Sequence, residues 1–107
     1  MTMDEYDREA DKYALHHDDP RFELLYLTLK LNGEAGEFAE KLGKCMRDGT
    51  TPELEHGMLL ELGDVLWYTA ALARRLNSSL EEIAALNLHK IADRAGRGKI
   101  HGTGDYR

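Results

Sequence analysis

Cysteine occurs once in this chain, at Cys45, so no internal disulfide can staple the fold. Proline occurs only at Pro20 and Pro52 and valine only at Val65, while Leu, Ala, Glu and Lys abound. Breakers and β-branched residues are therefore scarce, and the balance predicts an all-α fold. No apolar run reaches the roughly 20 residues needed to span a bilayer, and the opening MTMDEYDREAD lacks a signal-peptide core. No membrane partner is expected, and the cytosol is the expected compartment. A net charge of −6 argues against a nucleic-acid polymer as partner. With 107 residues the chain is most simply one domain, residues 1–107, short enough that a second copy would supply much of its cover. A homo-oligomer is expected.

What the chain does have is a helix candidate at residues 58–73, MLLELGDVLWYTAALA, apolar on nearly every side yet carrying Glu61 and Asp64. A helix that is hydrophobic all round is a buried helix, and an unpaired buried carboxylate costs several kcal/mol unless a cation or donors compensate it. Something positive should therefore sit there. Residues three apart on a helix lie about 60° apart, so Glu61 and Asp64 converge on one point, and Tyr68 follows the same line.

Upstream, Thr2 and Glu5 have capping-box spacing, and Met3, Tyr6, Ala10 and Tyr13 repeat at helical intervals, predicting a packing arm to about Ala14. His16-His17-Asp18-Asp19-Pro20 reads as a structural loop. From about Arg21 to Arg47 a stripe of Leu27, Leu31, Ala35, Phe38, Leu42 and Cys45 predicts a long helix. Glu34 and Glu37 lie on the edge of that stripe, which Lys41 and Lys44 continue. Taken alone this is as much a surface charge ladder as a site, although Gly33 and Gly36, costly inside a helix, permit close approach there.

Asp48-Gly49-Thr50 is a turn, and Thr51-Pro52 opens the next helix. The midpoint of Glu34 and Glu37 lies 13.5 residues before Gly49, and the midpoint of Glu61 and Asp64 lies 13.5 residues after it. Two antiparallel helices joined at that turn would bring both acidic pairs to one level, about 20 Å from the turn. Four converging carboxylates need cations, and an oxygen-only set points to Mg²⁺, with Mn²⁺ as the alternative. A ferritin-like oxidase would need two Glu-x-x-His pairs, whereas only Glu53/His56 has that spacing, out of level with the rest.

Ser78 or Ser79 starts a last helix on which Leu80 and Ile83 face the core. The same face then becomes Asn87, Lys90 and Arg94, passing from packing to binding. From Asn87 onward five cations oppose two carboxylates, a net of +3 that leaves −9 on the rest of the chain. Residues 96–107 hold little core and predict a flexible strap.

Glu34-x-x-Glu37 followed by Glu61-x-x-Asp64, within GEAGEFAEKLGK and LLELGDVLWY, resembles the MazG-like all-α nucleotide pyrophosphohydrolases. The segment NLHKIADRAGRGKIHGTGDYR is similar to the C-terminal part of short bacterial and phage members. The resemblance implies a four-helix-bundle-type fold, dimers or dimers of dimers (a homodimer or homotetramer), Mg²⁺, and hydrolysis of a nucleoside triphosphate to the monophosphate and pyrophosphate. Glu34, Glu37, Glu61 and Asp64 would then be metal ligands and catalytic groups. Lys41, Lys44, Lys90 and Arg94 would hold the triphosphate, with Arg97, Lys99 and Arg107 closing over it. Tyr68 and Asn87 would meet base or sugar, and Trp67 too, although core packing is the stronger reading for the two aromatics. Two alternatives stay open: a relative acting on another nucleotide, such as a phosphoribosyl or signalling nucleotide, and a non-catalytic helical module whose acids bind a structural cation.

Overall fold

Four α-helices make up the computed structural model, which describes residues 1–106: α1 (Met3–Asp11), α2 (Pro20–Asp48), α3 (Pro52–Arg75) and α4 (Leu80–Gly96). Among the described residues there is no strand. Local chemistry sets each start. Thr2 and Glu5 form the capping box of α1, while Asp19 accepts from the Arg21 amide ahead of α2, with Pro20 in the first turn. Thr51 caps α3 through the Leu54 amide, again with proline behind it, and Ser79 rather than Ser78 caps α4 through the Glu82 amide. Gly49 ends α2 at φ +90, a backbone conformation that disfavours a side chain. The arm ends sooner than its periodicity predicts, at Asp11.

The dominant packing is α2 on α3. Cys45 Sγ lies 3.9 Å from Met58 Sδ, Lys41 reaches Glu61, and Glu34 meets Glu61 and Asp64, so each step back along α2 meets a step forward along α3. At the other end α1 is bolted to the α3–α4 corner. Asp7 takes Arg74 Nη1 at 2.7 Å with one carboxylate oxygen and the Leu80 amide at 3.1 Å with the other, while Asp11 takes Arg74 Nε at 3.2 Å. The buried carboxylate of Glu23 ties the 16–17 loop to Arg75. These ties place Leu27, Ala70, Ala71, Ala73 and Leu80 in the interior.

One chain does not close a four-helix bundle. α4 packs on α1 and α3 but not on α2, and the radius of gyration is 16.6 Å, against about 13 Å for a compact chain of this length. The helix read as buried all round is buried only in its second half. Leu59 is 65 % and Leu60 58 % exposed, and Leu88 on α4 is 68 % exposed. The two long helices supply one mutual face each, and α1 and α4 add cover to α3 but none to α2. No helix among the described residues is long and apolar enough to cross a membrane.

Candidate functional site

Glu34 on α2 and Glu61 and Asp64 on α3 each place one carboxylate oxygen within 4.8 Å of the others. The three-residue spacing on α3 and the register across the pair account for the convergence. The side chains of Glu34 and Glu61 are only 17 % and 14 % exposed, whereas Asp64 opens to solvent. Glu37, the fourth acid expected, stands outside this trio; its charge acts on Lys41.

Compensating charge is present, as the apolar surroundings of Glu61 require. Lys41 Nζ lies 2.5 Å from Glu61 Oε1, a half-buried ion pair across the two helices. Gly57 permits it: a Cβ there would stand 3.0 Å from Lys41 Cε, so the lysine stem lies flat on α3 where a side chain is missing. Gly33 and Gly36, in contrast, face open space within this chain. Lys30 Nζ approaches Glu34 at 3.9 Å and sits 5.9 Å above the Tyr68 ring.

Protonation follows from these neighbours. Burial raises the Glu34 carboxyl above its ordinary value, and the hydrogen bond to Glu61 and the charges of Asp64 and Glu61 raise it further, against a smaller opposing effect of Lys30. The hydrogen bond from Lys41 lowers Glu61, and the same bond raises Lys41. Burial raises the Tyr68 phenol, with Tyr26, Glu34 and Asp64 adding to the effect and Lys30 opposing it. Glu34 thus holds its proton to higher pH than an ordinary glutamate, and Glu61 keeps its charge to lower pH.

The donor set fits a hard divalent cation. All three ligand atoms are carboxylate oxygens.

The remaining residues expected at the site lie elsewhere. Lys44 pairs loosely with Glu40 on its own helix, 3.9 Å away. Asn87 shares a shallow apolar groove on α4 with Ile83, Leu86 and Lys90. Lys90 binds Asp105 at 3.1 Å, and buried Arg94 donates to the carbonyl oxygens of Gly104 at 3.3 Å and Asp105 at 2.7 Å. Arg97 pairs with Asp93 at 2.8 Å, and the Lys99 amide donates to the Arg94 carbonyl. Arg107 lies outside the described residues. The strap does fold back, but onto the α4 cations, and among the described residues no contact brings Asn87, Lys90 or Arg94 to the trio.

Trp67 lines the interior beside Leu27 and Ala71 and meets Tyr68 edge-on at 4.9 Å, so it is a core residue. Sequence reasoning missed Lys30 and Gly57. The four-residue offset from Lys30 to Glu34 is visible in the sequence, as a helix-face pairing. Gly57 carries no such signal, because its role depends on which residue crosses it from the other helix.

A family model described as the MazG nucleotide pyrophosphohydrolase domain matches residues 22–97. Gene 37 protein of Mycobacterium phage L5 is 45 % identical over 87 residues, which cover 78 % of this chain and 76 % of that protein. Uncharacterized protein YpjD of Bacillus subtilis (strain 168) is 33 % identical over 97 residues, covering 87 % and 86 %. No solved structure matches the chain.

Proposed function

This chain belongs to the MazG nucleotide pyrophosphohydrolase family, and from that premise we propose that it is a Mg²⁺-dependent nucleoside triphosphate pyrophosphohydrolase, yielding a nucleoside monophosphate and pyrophosphate. The observation that carries this reading is the convergence of Glu34, Glu61 and Asp64 at the level where α2 and α3 pair. Glu37, one turn from Glu34, would be the fourth carboxylate of this reading.

Glu34, Glu61 and Asp64 would hold the cation, Mg²⁺ or in its place Mn²⁺. When bound, such an ion would supply charge neutralisation on the phosphates and Lewis acidity toward the attacking water. The chain's own part is to present the three oxygens from two rigid helices. Burial of Glu34 and Glu61 on the helix seam keeps bulk water from screening them. Asp64, on the open side, faces the incoming substrate. Tyr68, half-buried under Lys30, borders the same opening and provides a flat surface for the sugar or base. Lys44, Asn87, Lys90, Arg94, Arg97, Lys99 and Arg107 remain assigned to the phosphates and nucleoside, and those on α4 and the strap act through assembly.

A homodimer or homotetramer supports this arrangement. The uncovered leucines of α2 and α3 and the apolar residues of α4 form more exposed apolar surface than a monomer ordinarily carries. A second copy docking α4 against an α2–α3 pair completes the bundle and carries Lys90 and Arg94 toward the trio. The test is a panel of canonical and modified ribo- and deoxyribonucleoside triphosphates, scored for pyrophosphate with Mg²⁺ and with chelator. At least one substrate should release pyrophosphate only with metal. Metal-dependent binding without turnover on any nucleotide, phosphoribosyl and signalling nucleotides included, would mark a non-catalytic module.

A further inference from the structure

Lys41 was expected among the phosphate-binding cations, yet it is spent inside the carboxylate group. Its ammonium lies 2.5 Å from Glu61 Oε1, an oxygen of the same carboxylate that joins Glu34 and Asp64. The contact is built. Lys41 is 28 % and Glu61 14 % exposed, so neither is a solvated surface charge. The lysine reaches across from α2 over Gly57, where a Cβ would stand 3.0 Å from Cε and 3.3 Å from Cδ. A glycine inside α3 is unfavourable to the helix relative to alanine, and its effect here is to let that stem pass.

Resting on the metal-centre reading above, we propose that Lys41 is the site's internal counter-ion, a positioning residue that holds Glu61 in the metal-free protein and competes with the divalent cation for it. A cation and an ammonium on the same carboxylate repel at contact distance. Entry of the metal therefore turns Lys41 off Glu61, and loss of Lys41 leaves the trio more open to metal. The consequence is a carboxylate group that folds without metal and binds it less tightly than its ligands alone would allow.

The test is Mn²⁺ binding in the absence of nucleotide, followed by the electron paramagnetic resonance signal of free Mn²⁺, for the full chain and for Lys41→Ala, Gly57→Ala and the double variant. Far-UV circular dichroism checks that each is helical. Lys41→Ala should bind Mn²⁺ about tenfold more tightly, an ordinary size for coupling between two sites. Gly57→Ala keeps the charge, favours the helix and makes the stem give by a few tenths of an ångström, so it should shift affinity the same way by much less. In the Lys41→Ala background the Gly57 change should have no effect, since the stem it displaces is gone.

Equal or weaker Mn²⁺ binding by Lys41→Ala, with the parent chain binding normally, overturns the counter-ion role and leaves the metal centre standing. A Gly57 effect that persists without Lys41 overturns it as well. Absence of Mn²⁺ binding by every form, parent included, overturns the metal centre and the counter-ion with it.

Discussion

The α2–α3 pair and the α4–strap region carry opposite charges and handle them in opposite ways. On the pair, three carboxylates converge with Lys41 and Lys30 beside them among the described residues, so acidic groups outnumber the cations next to them. On α4, Lys90 and Arg94 are met by Asp105 and by two strap carbonyls, so that cluster is satisfied by its own chain. The acidic cluster is therefore unfinished and the basic one closed, which is why the first reads as the reactive centre. The strap glycines let the chain return on itself, and within one chain the Asp105 carboxylate sits on Lys90 and Arg94, the cations assigned to the phosphates.

The sharpest way to break the contrast is to neutralise the unfinished side. Asp64→Asn should lower Mg²⁺-dependent pyrophosphate release by at least about a hundredfold, measured as kcat/KM, while charge-neutral changes on the strap leave kcat within a few-fold. A comparable loss from Asp105→Asn would erase the distinction.

Assembly is the next largest effect. Light scattering at micromolar concentration should give at least twice the chain mass, and Leu88→Asp, which puts a charge on the exposed apolar face of α4, should shift the mass toward the monomer while leaving the helix content in place. A monomer before substitution would place the closure of the bundle elsewhere.

Within the acidic cluster, Glu34 and Glu61 should respond in opposite directions. Glu34 titrates above its unfolded value, so its contribution to the metal-free fold is complete at low pH and is lost as pH rises through the raised value. Glu61 titrates below its unfolded value, so its contribution is present above the ordinary carboxylate range and is lost as pH falls. In chelator at neutral pH, Glu34→Gln should raise Tm and Glu61→Gln should lower it, stranding Lys41. By the same proton on Glu34, Mn²⁺ affinity should rise with pH through that group's titration and flatten in Glu34→Gln. Two substitutions moving Tm the same way would show the pair to be equivalent.

The smallest effect on folding belongs to the closed side. Deleting residues 98–107 removes the carbonyl acceptors of buried Arg94, and should cost about 1 kcal/mol in chemical denaturation without unfolding the helices. No change at all would show that the strap leaves Arg94 without net stabilisation.

Much of this layout was legible in the sequence where the determinants are local. The caps at Thr2, Thr51 and Ser79 follow from side chains within three residues of the groups they bind, whereas Asp19, read as part of a loop, caps α2 as well. That Glu34 lies level with Glu61 and Asp64 accords with equal distances to Gly49, because a short turn between two helices leaves little freedom of register, although Glu37 stands outside the group. What was not legible needed knowledge of the opposite helix or of a folded tail. Lys41 sits on the same edge as Glu34 and Glu37, and periodicity cannot say that the residue facing it is Glu61, nor that Gly57 clears its path. Arg94 looked free because its acceptors are backbone oxygens ten and eleven residues on. The all-round apolar character of α3 in so short a chain predicted a helix needing more cover than its neighbours supply, and in the single chain Leu59 and Leu60 on its first half stay exposed.

The most direct measurement of the central assignment is hydrolysis of an accepted nucleoside triphosphate in ¹⁸O-labelled water with Mg²⁺, the products resolved by mass spectrometry. Attack at the α-phosphorus places the label in the nucleoside monophosphate and leaves pyrophosphate unlabelled. Label in pyrophosphate, or orthophosphate and a nucleoside diphosphate as products, would contradict it.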